Sequence, residues 1–219
     1  MPRVLTIIQA RMSSFRFPGK VLAPFCHEPL IIHVLRVVQD TLGREAVVVA
    51  TSNESSDDPL VAYLEQLDVN VIRGSLANVF ERFRLCIGEY PCDWILRVNG
   101  DSPLLDGATL LKLVKYAERD DFHVVTTVFP RTFPTGQNAE LIRASTFMEM
   151  DSTQLTVHDR EHVTSVFYRN PDRFKIHNIE SGNSKLATLE LAVDTIDDLH
   201  RLEDIVDHRG KIGFGEGLL

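Results

Sequence analysis

The chain is poor in cysteine and has no long apolar run. Its three cysteines, Cys26, Cys86 and Cys92, are odd in number and lack the spacing of a metal site. We therefore expect reduced thiols in a reducing compartment. No stretch approaches the roughly 18 apolar residues of a membrane-spanning helix, and the N-terminus shows no secretory signal pattern. The sequence predicts a cytoplasmic protein that does not enter a membrane.

An excess of basic residues is also missing. The 31 acidic residues outnumber the 23 lysines and arginines, which gives a net charge of −8 at pH 7. This balance argues against nucleic acid as a partner, because a phosphate backbone is bound by a basic face. The sequence also lacks internal repeats, low-complexity tracts and long linkers. At 219 residues with 44% hydrophobic content, we expect one domain spanning 1–219.

Short apolar runs alternate with segments of helical periodicity over the first 128 residues. This alternation predicts βαβ crossovers and an α/β fold with a mainly parallel sheet. The regular alternation of strands and helices ends at the turn-rich loop 129–136, so 129–185 is interpreted as an inserted α+β section. The first predicted strand begins at residue 4, and the others span 46–50, 69–72, 93–98, 122–128, 138–142, 174–179 and 188–193. The predicted helices include 29–42, one that Asp57 or Asp58 caps ahead of Pro59, 144–150, 159–169 and one after Asp194.

A cationic loop follows the first strand. It carries Arg11, Arg16 and Lys20, with a Pro-Gly turn just before the lysine. In a parallel α/β sheet, ligands bind beyond the carboxyl ends of the strands. The small residues of the loop let its backbone approach a ligand; they include Ala10, Ser13 and Gly19. The pattern indicates a polyphosphate site, and the alternative is a solvated basic loop.

Two aspartates, Asp101 and Asp194, stand just past the ends of later apolar strands. If those strands are central, both carboxylates face the cationic loop. Carboxylates in this position can hold Mg²⁺, which takes the rest of its ligands from water and substrate phosphates. The alternative for each aspartate is a helix N-cap.

Several motifs resemble those of the spore coat polysaccharide biosynthesis protein F family, whose relatives include acylneuraminate and 3-deoxy-manno-octulosonate cytidylyltransferases. The resemblance covers essentially the whole chain in the family's order. Its most specific blocks are 8–22 (IQARMSSFRFPGKVL) and 97–106 (RVNGDSPLLD), and the others are 49–52, 73–75, 131–136, 160–164, 168–171, 193–195 and 198–199.

The resemblance implies a three-layer α/β/α glycosyltransferase-A-like fold. It also implies transfer of CMP from CTP to an acidic sugar or related acceptor, with Mg²⁺ and release of pyrophosphate, in a homodimer. By resemblance the roles would be these: triphosphate binding by Arg11, Arg16 and Lys20, with Ser13 and Gly19 in the same loop; metal binding by Asp101 and Asp194; contact with the base by Ala10, Arg73, Gly74 and Ser75; and contact with the acceptor or the dimer partner by Glu140 and His162. For His162 the alternative is a buried, hydrogen-bonded histidine.

The chain departs from the family pattern at Phe15, Phe17, Asn78, Asn138 and Glu190. These departures concern the acceptor more than the reaction type, because the phosphate and metal positions are intact. Two alternatives stay open. One is a glycosyltransferase using a nucleotide sugar, although Asn99-Gly100-Asp101 holds only the second acid of an Asp-x-Asp motif. The other is a CTP-binding protein without turnover.

Overall fold

The computed structural model describes residues 2–119 and 121–206. Over these ranges the chain forms nine strands and eight α-helices. The strands are β1 (Val4–Gln9), β2 (Pro24–Phe25), β3 (Glu28–Pro29), β4 (Val47–Ser52), β5 (Asn70–Gly74), β6 (Trp94–Asn99), β7 (Val124–Thr126), β8 (Ala139–Arg143) and β9 (Ile176–Asn178). The helices are α1 (Leu30–Leu42), α2 (Asp58–Glu65), α3 (Val79–Glu89), α4 (Gly107–Val114), α5 (Ala144–Met148), α6 (Val157–Glu161), α7 (Ser165–Arg169) and α8 (Ile196–Ile205).

Seven strands form one sheet in the order β5-β4-β1-β6-β8-β7-β9. Strand β8 is antiparallel to both of its neighbours, and the other pairs are parallel. The predicted mainly parallel sheet is therefore confirmed. Strands β1 and β6 are central and in register, with Gln9 opposite Asn99, so the segments that follow them emerge side by side.

Residues after 129 complete this sheet. Strand β8 lies between β6 and β7, and β9 forms the edge beside β7. A cis peptide bond joins Phe129 to Pro130 in the loop that leads into β8. The section 129–185 thus contributes one internal strand, β8, which lies beside β6, the strand that carries Arg97.

Apolar side chains on the two faces of the sheet form two separate cores. Ile8 packs in one with residues of α1 and α4, and Ile7 packs in the other with residues of α3 and α5. Successive strand residues point to opposite faces, so a strand covered on both sides reads as a continuous apolar run. Helices on both faces make the predicted three-layer α/β/α arrangement.

Two local predictions are wrong. Residues 188–193 do not form a strand of the sheet. They follow a short 3₁₀ helix (Ser184–Thr188) and make one isolated bridge between Glu190 and Thr135, because their neighbour is the irregular loop 129–136. The helix predicted over 159–169 is two helices, α6 and α7, because the backbone at His162 leaves the helical region with φ −103° and ψ 77°. None of the helices over the described residues is both long and apolar enough to cross a bilayer.

Candidate functional site

A cavity of about 470 Å³ opens at the carboxyl ends of β1 and β6. The loop after β1 forms one wall and the ends of β6 and of the segment before α8 form the others. The side chains around it are mostly cationic or polar. Its lining residues are Gln9, Ala10, Arg11, Ser14, Phe15, Arg16, Lys20, Val21, Arg97, Asn99, Asp101, His162 and Asp194.

Lys20 lies at the centre of the charged groups. Its Nζ donates to Asp101 Oδ2 at 2.7 Å, to the Val193 carbonyl at 2.8 Å and to Asp194 Oδ1 at 3.1 Å. Arg16 Nη2 is 2.7 Å from Asp194 Oδ2. The lysine is 7% exposed, so its charge is only weakly screened by water. The structure thus brings the cationic loop and both predicted aspartates together.

The loop reaches this position through a left-handed glycine. Gly19 has φ 78° and ψ 4° and caps the short 3₁₀ helix that begins at Lys20. Its N–H donates to the Met12 carbonyl at 2.8 Å, which closes the loop. A side chain at φ 78° costs energy because Cβ approaches the following carbonyl. Glycine therefore fixes where the lysine points.

Neither Asp101 nor Asp194 is a helix cap. Helix α4 is capped by Asp106, which accepts from Ala108 N–H and Thr109 N–H. Helix α8 is capped by Thr195 in a capping box with Asp198. The N-cap alternative is therefore wrong for both aspartates, and their carboxylates are left to the cavity.

A buried ion pair supports the cavity floor, and its arginine was not singled out from the sequence. Arg97 Nη1 donates to Glu140 Oε2 at 2.7 Å, and Arg97 Nη2 donates to Gln9 Oε1 at 3.3 Å. Burial alone would lower the pKa of Arg97, but the charge of Glu140 and its hydrogen bond raise it above its ordinary value. A signal was present, because Arg97 and Asn99 are polar residues two apart in an otherwise buried strand.

Glu140 lies under the floor and does not line the cavity. It is 3% exposed and accepts from Thr164 Oγ1 at 3.0 Å and from Tyr168 Oη at 3.2 Å. Burial, and then the charge of Glu140, raises the pKa of Tyr168 well above its ordinary value. Glu140 thus acts on the cavity through Arg97, and in this conformation its contacts are internal.

His162 does line the cavity and is exposed. The alternative of a buried histidine is therefore wrong. Its ring centroid is 4.4 Å from that of His158. Partial burial and then His158 lower the pKa of His162, so its imidazole is largely neutral at pH 7.

Asp57 holds the cationic loop from behind. Its carboxylate accepts from Met12 N–H at 2.7 Å, from Thr51 Oγ1 at 2.8 Å, and from Ser52 N–H at 2.8 Å and Ser52 Oγ at 2.5 Å. Burial would raise the pKa of Asp57, but these donors lower it. Helix α2 does begin at Asp58, yet the Asp57 side chain makes no capping bond. No local pattern around Asp57 indicates this role.

Only one of the residues predicted to contact the base lines the cavity. Ala10 lines the cavity, whereas the turn 73–75 is not among its lining residues. Ser13 and Gly19, which were predicted for the triphosphate loop, are not among them either. The turn follows β5, and Arg73 donates to the carbonyls of Ser52 and Glu54. These contacts tie the end of β5 to the end of β4.

Two departures from the family pattern have structural roles. Asn78 caps α3 by accepting from Glu81 N–H at 3.1 Å, as an aspartate would. Asn138 Oδ1 accepts from Arg131 Nη1 at 2.6 Å. Phe15, by contrast, is fully exposed at the mouth of the cavity.

Three comparisons give the same result. A sequence model described as "Cytidylyltransferase" matches residues 5–209. The chain is 31% identical to the spore coat polysaccharide biosynthesis protein SpsF of Bacillus subtilis, over 96% of this chain and 89% of that protein. It is 30% identical to the 3-deoxy-manno-octulosonate cytidylyltransferase of Myxococcus xanthus, over 75% and 68% of the two chains. A solved cytidylyltransferase from Leptospira borgpetersenii superposes with a TM-score of 0.88 at 29% identity, covering 94% of this chain and 87% of that one.

Proposed function

Because the chain belongs to the cytidylyltransferase family, we propose that it transfers CMP from CTP to an acidic sugar or a related acceptor and releases pyrophosphate. The observation that carries the proposal is the contact of Lys20 with Asp101 and Asp194 at the cationic cavity. Phosphoryl chemistry of this type depends on positioning and electrostatic stabilisation more than on a protein nucleophile. The cavity supplies both kinds of charge that such a reaction needs.

The cations act on the triphosphate. In the proposed reaction an acceptor oxygen attacks the α-phosphorus, and the bond to the bridging oxygen of pyrophosphate breaks. Arg11, Arg16 and Lys20 stabilise the charge on the transferring and leaving phosphates. In this proposal His162, which lines the cavity and has a lowered pKa, accepts the proton of the attacking hydroxyl.

Asp101 and Asp194 fit a hard divalent cation. Their oxygens converge on one ammonium at 2.7 and 3.1 Å, so one small cation can span them. Over the described ranges no cluster of three or more His, Cys, Asp and Glu side chains is placed to hold a metal. Two carboxylates completed by water and substrate phosphates are typical of Mg²⁺. Bound there, Mg²⁺ would neutralise triphosphate charge.

The acceptor and assembly are part of the same proposal. The named substrate of the M. xanthus relative is an acidic sugar, and the role of the B. subtilis relative is polysaccharide synthesis. We propose an acceptor of this class in glycan precursor synthesis, in the cytoplasm. We further propose a single domain whose section 129–185 forms the acceptor and dimer surface.

The experiment is pyrophosphate release from CTP with Mg²⁺ across a panel of acidic sugars that includes 3-deoxy-manno-octulosonate. We expect release that depends on one acceptor and is faster with CTP than with ATP, GTP or UTP. CTP binding without release on any acceptor would favour the alternative of a binding protein. Release of a free nucleoside diphosphate from a nucleotide sugar would instead indicate a glycosyltransferase.

A further inference from the structure

Arg82 on α3 is the polar side chain with the most unsatisfied atoms over the described residues. It is 0% exposed, yet its Nε, Nη1 and Nη2 have no hydrogen-bond partner within 2–119 and 121–206. Burial, and then the charge of Arg11, lowers its pKa to about 10, so the guanidinium is still charged at neutral pH. Buried polar groups are nearly always paired, and an unpaired buried charge lowers stability. This arginine therefore requires an explanation.

The nearby acidic groups do not neutralise it. Asp57 attracts Arg82 electrostatically, but its oxygens already accept from Met12, Thr51 and Ser52. Burial raises the pKa of Cys86 to about 12, so this thiol is neutral. The donors of Arg82 are thus left unused while the neighbouring carboxylate holds the cationic loop.

Arg82 lies close to residues that are assigned to nucleotide contact. A Cβ on Gly74 would lie 2.7 Å from Arg82 Cγ, so the arginine stem packs directly against the 73–75 turn. Its charge also interacts with Arg11, which lines the cavity. Arg82 therefore packs against the turn to which the resemblance gives base contacts, and it is near enough to be repelled by the charge of Arg11, to which the proposed function gives triphosphate contacts.

We propose that Arg82 is a nucleotide-binding residue that donates hydrogen bonds to an oxygen of the bound nucleotide. The acceptor is a carbonyl of the base or an oxygen of the phosphates, both of which match guanidinium donors. This inference rests on the proposed function. It explains why an unpaired charge is kept in the interior: the free protein is less stable, and the bound nucleotide supplies the missing partner.

The test compares Arg82→Met with the wild type in two measurements, the melting temperature of the free protein and the affinity for CTP. Methionine fills similar space without a charge, so we expect an unchanged or higher melting temperature. We expect CTP affinity to fall at least tenfold, because a hydrogen bond from a charged donor is lost. Arg82→Lys keeps the charge but has fewer, differently placed donors, so its affinity should lie between those of Arg82→Met and the wild type.

Arg84→Met is the matched control on the same helix. Arg84 Nη2 donates to the Met148 carbonyl at 3.1 Å and to the Met150 carbonyl, so its loss should lower the melting temperature and leave CTP affinity unchanged. Affinities for inorganic tripolyphosphate and for cytidine then identify the acceptor. A loss confined to cytidine indicates a base carbonyl, and a loss confined to tripolyphosphate indicates a phosphate.

Unchanged CTP affinity in Arg82→Met would overturn the inference, and so would a lower melting temperature or a failure to fold, since either assigns the arginine a structural role. If the wild type itself does not bind CTP, the proposed function fails and this inference fails with it. The wild-type measurement thus separates the two failures.

Discussion

Replacement of Glu140 by glutamine removes one charge from the pair beneath the cavity. Glu140 is 3% exposed and the Arg97 side chain 13%, so water can solvate only a small part of the arginine that remains. Breaking a buried pair costs roughly 3–5 kcal/mol. Glutamine can still accept from Thr164 and Tyr168, so we expect the lower end, about 3 kcal/mol. For a chain of this size each kcal/mol lowers the melting temperature by about 2–4 °C, which gives a decrease of about 6–12 °C.

Differential scanning calorimetry measures this change, with Asp121→Asn as the control. Asp121 pairs with Arg119 at 3.0 Å, but the two side chains are 62% and 55% exposed, and exposed pairs contribute about 1 kcal/mol at most. The control should therefore melt within a few degrees of the wild type. If Glu140→Gln melts no lower than Asp121→Asn, the Arg97–Glu140 pair does not support the cavity floor.

Two further predictions concern the loop and the pH dependence. Gly19→Ala should lower the free energy of unfolding by about 1–2 kcal/mol, because the φ of Gly19 is 78°, and it should lower kcat/KM. The control is Gly88→Ala in α3, where a Cβ would have open space, so this change should be neutral or stabilising. Equal effects of the two variants in urea denaturation would contradict the role of the left-handed turn. Burial lowers the pKa of His33, so the unfolded chain binds this proton more readily and stability should fall as pH drops below about 6.5. His33→Gln should flatten the stability slope between pH 7.5 and 5.5, and an unchanged slope would show that His33 does not contribute to it.

The convergence of Lys20, Asp101 and Asp194 could be predicted from sequence because each was expected beyond the end of a strand. Lys20, Asp101 and Asp194 each lie beyond an apolar run or a turn signal, and parallel strand ends meet at one edge of a sheet. Strand 188–193 was predicted wrongly, yet Asp194 still reaches the cavity because the Leu191 and Val193 N–H groups donate to Thr135 and Asp101 carbonyls. The position of Asp194 therefore does not depend on regular strand pairing.

The supporting residues could not be predicted, because their partners are set by register and long-range packing. Glu140 meets Arg97 only because β8 pairs antiparallel with β6 and places the two residues opposite each other. Asp57 has the local pattern of a helix cap, but its distinguishing partner, Met12 N–H, is 45 residues away. Arg82 occupies an amphipathic helix whose pattern does not reveal an unpaired guanidinium.

The most direct test of the metal–triphosphate site is turnover by Lys20→Ala and Asp101→Ala with CTP, Mg²⁺ and the active acceptor, followed by ³¹P NMR of the α-phosphorus. Arg36→Ala is the control, since Arg36 pairs with Glu28 on the surface at 2.8 Å. We expect the control to form the CMP ester at the wild-type rate. Both site variants should fold, as judged by circular dichroism, and form no detectable ester. A folded Lys20→Ala or Asp101→Ala with a near-normal rate would contradict the mechanism.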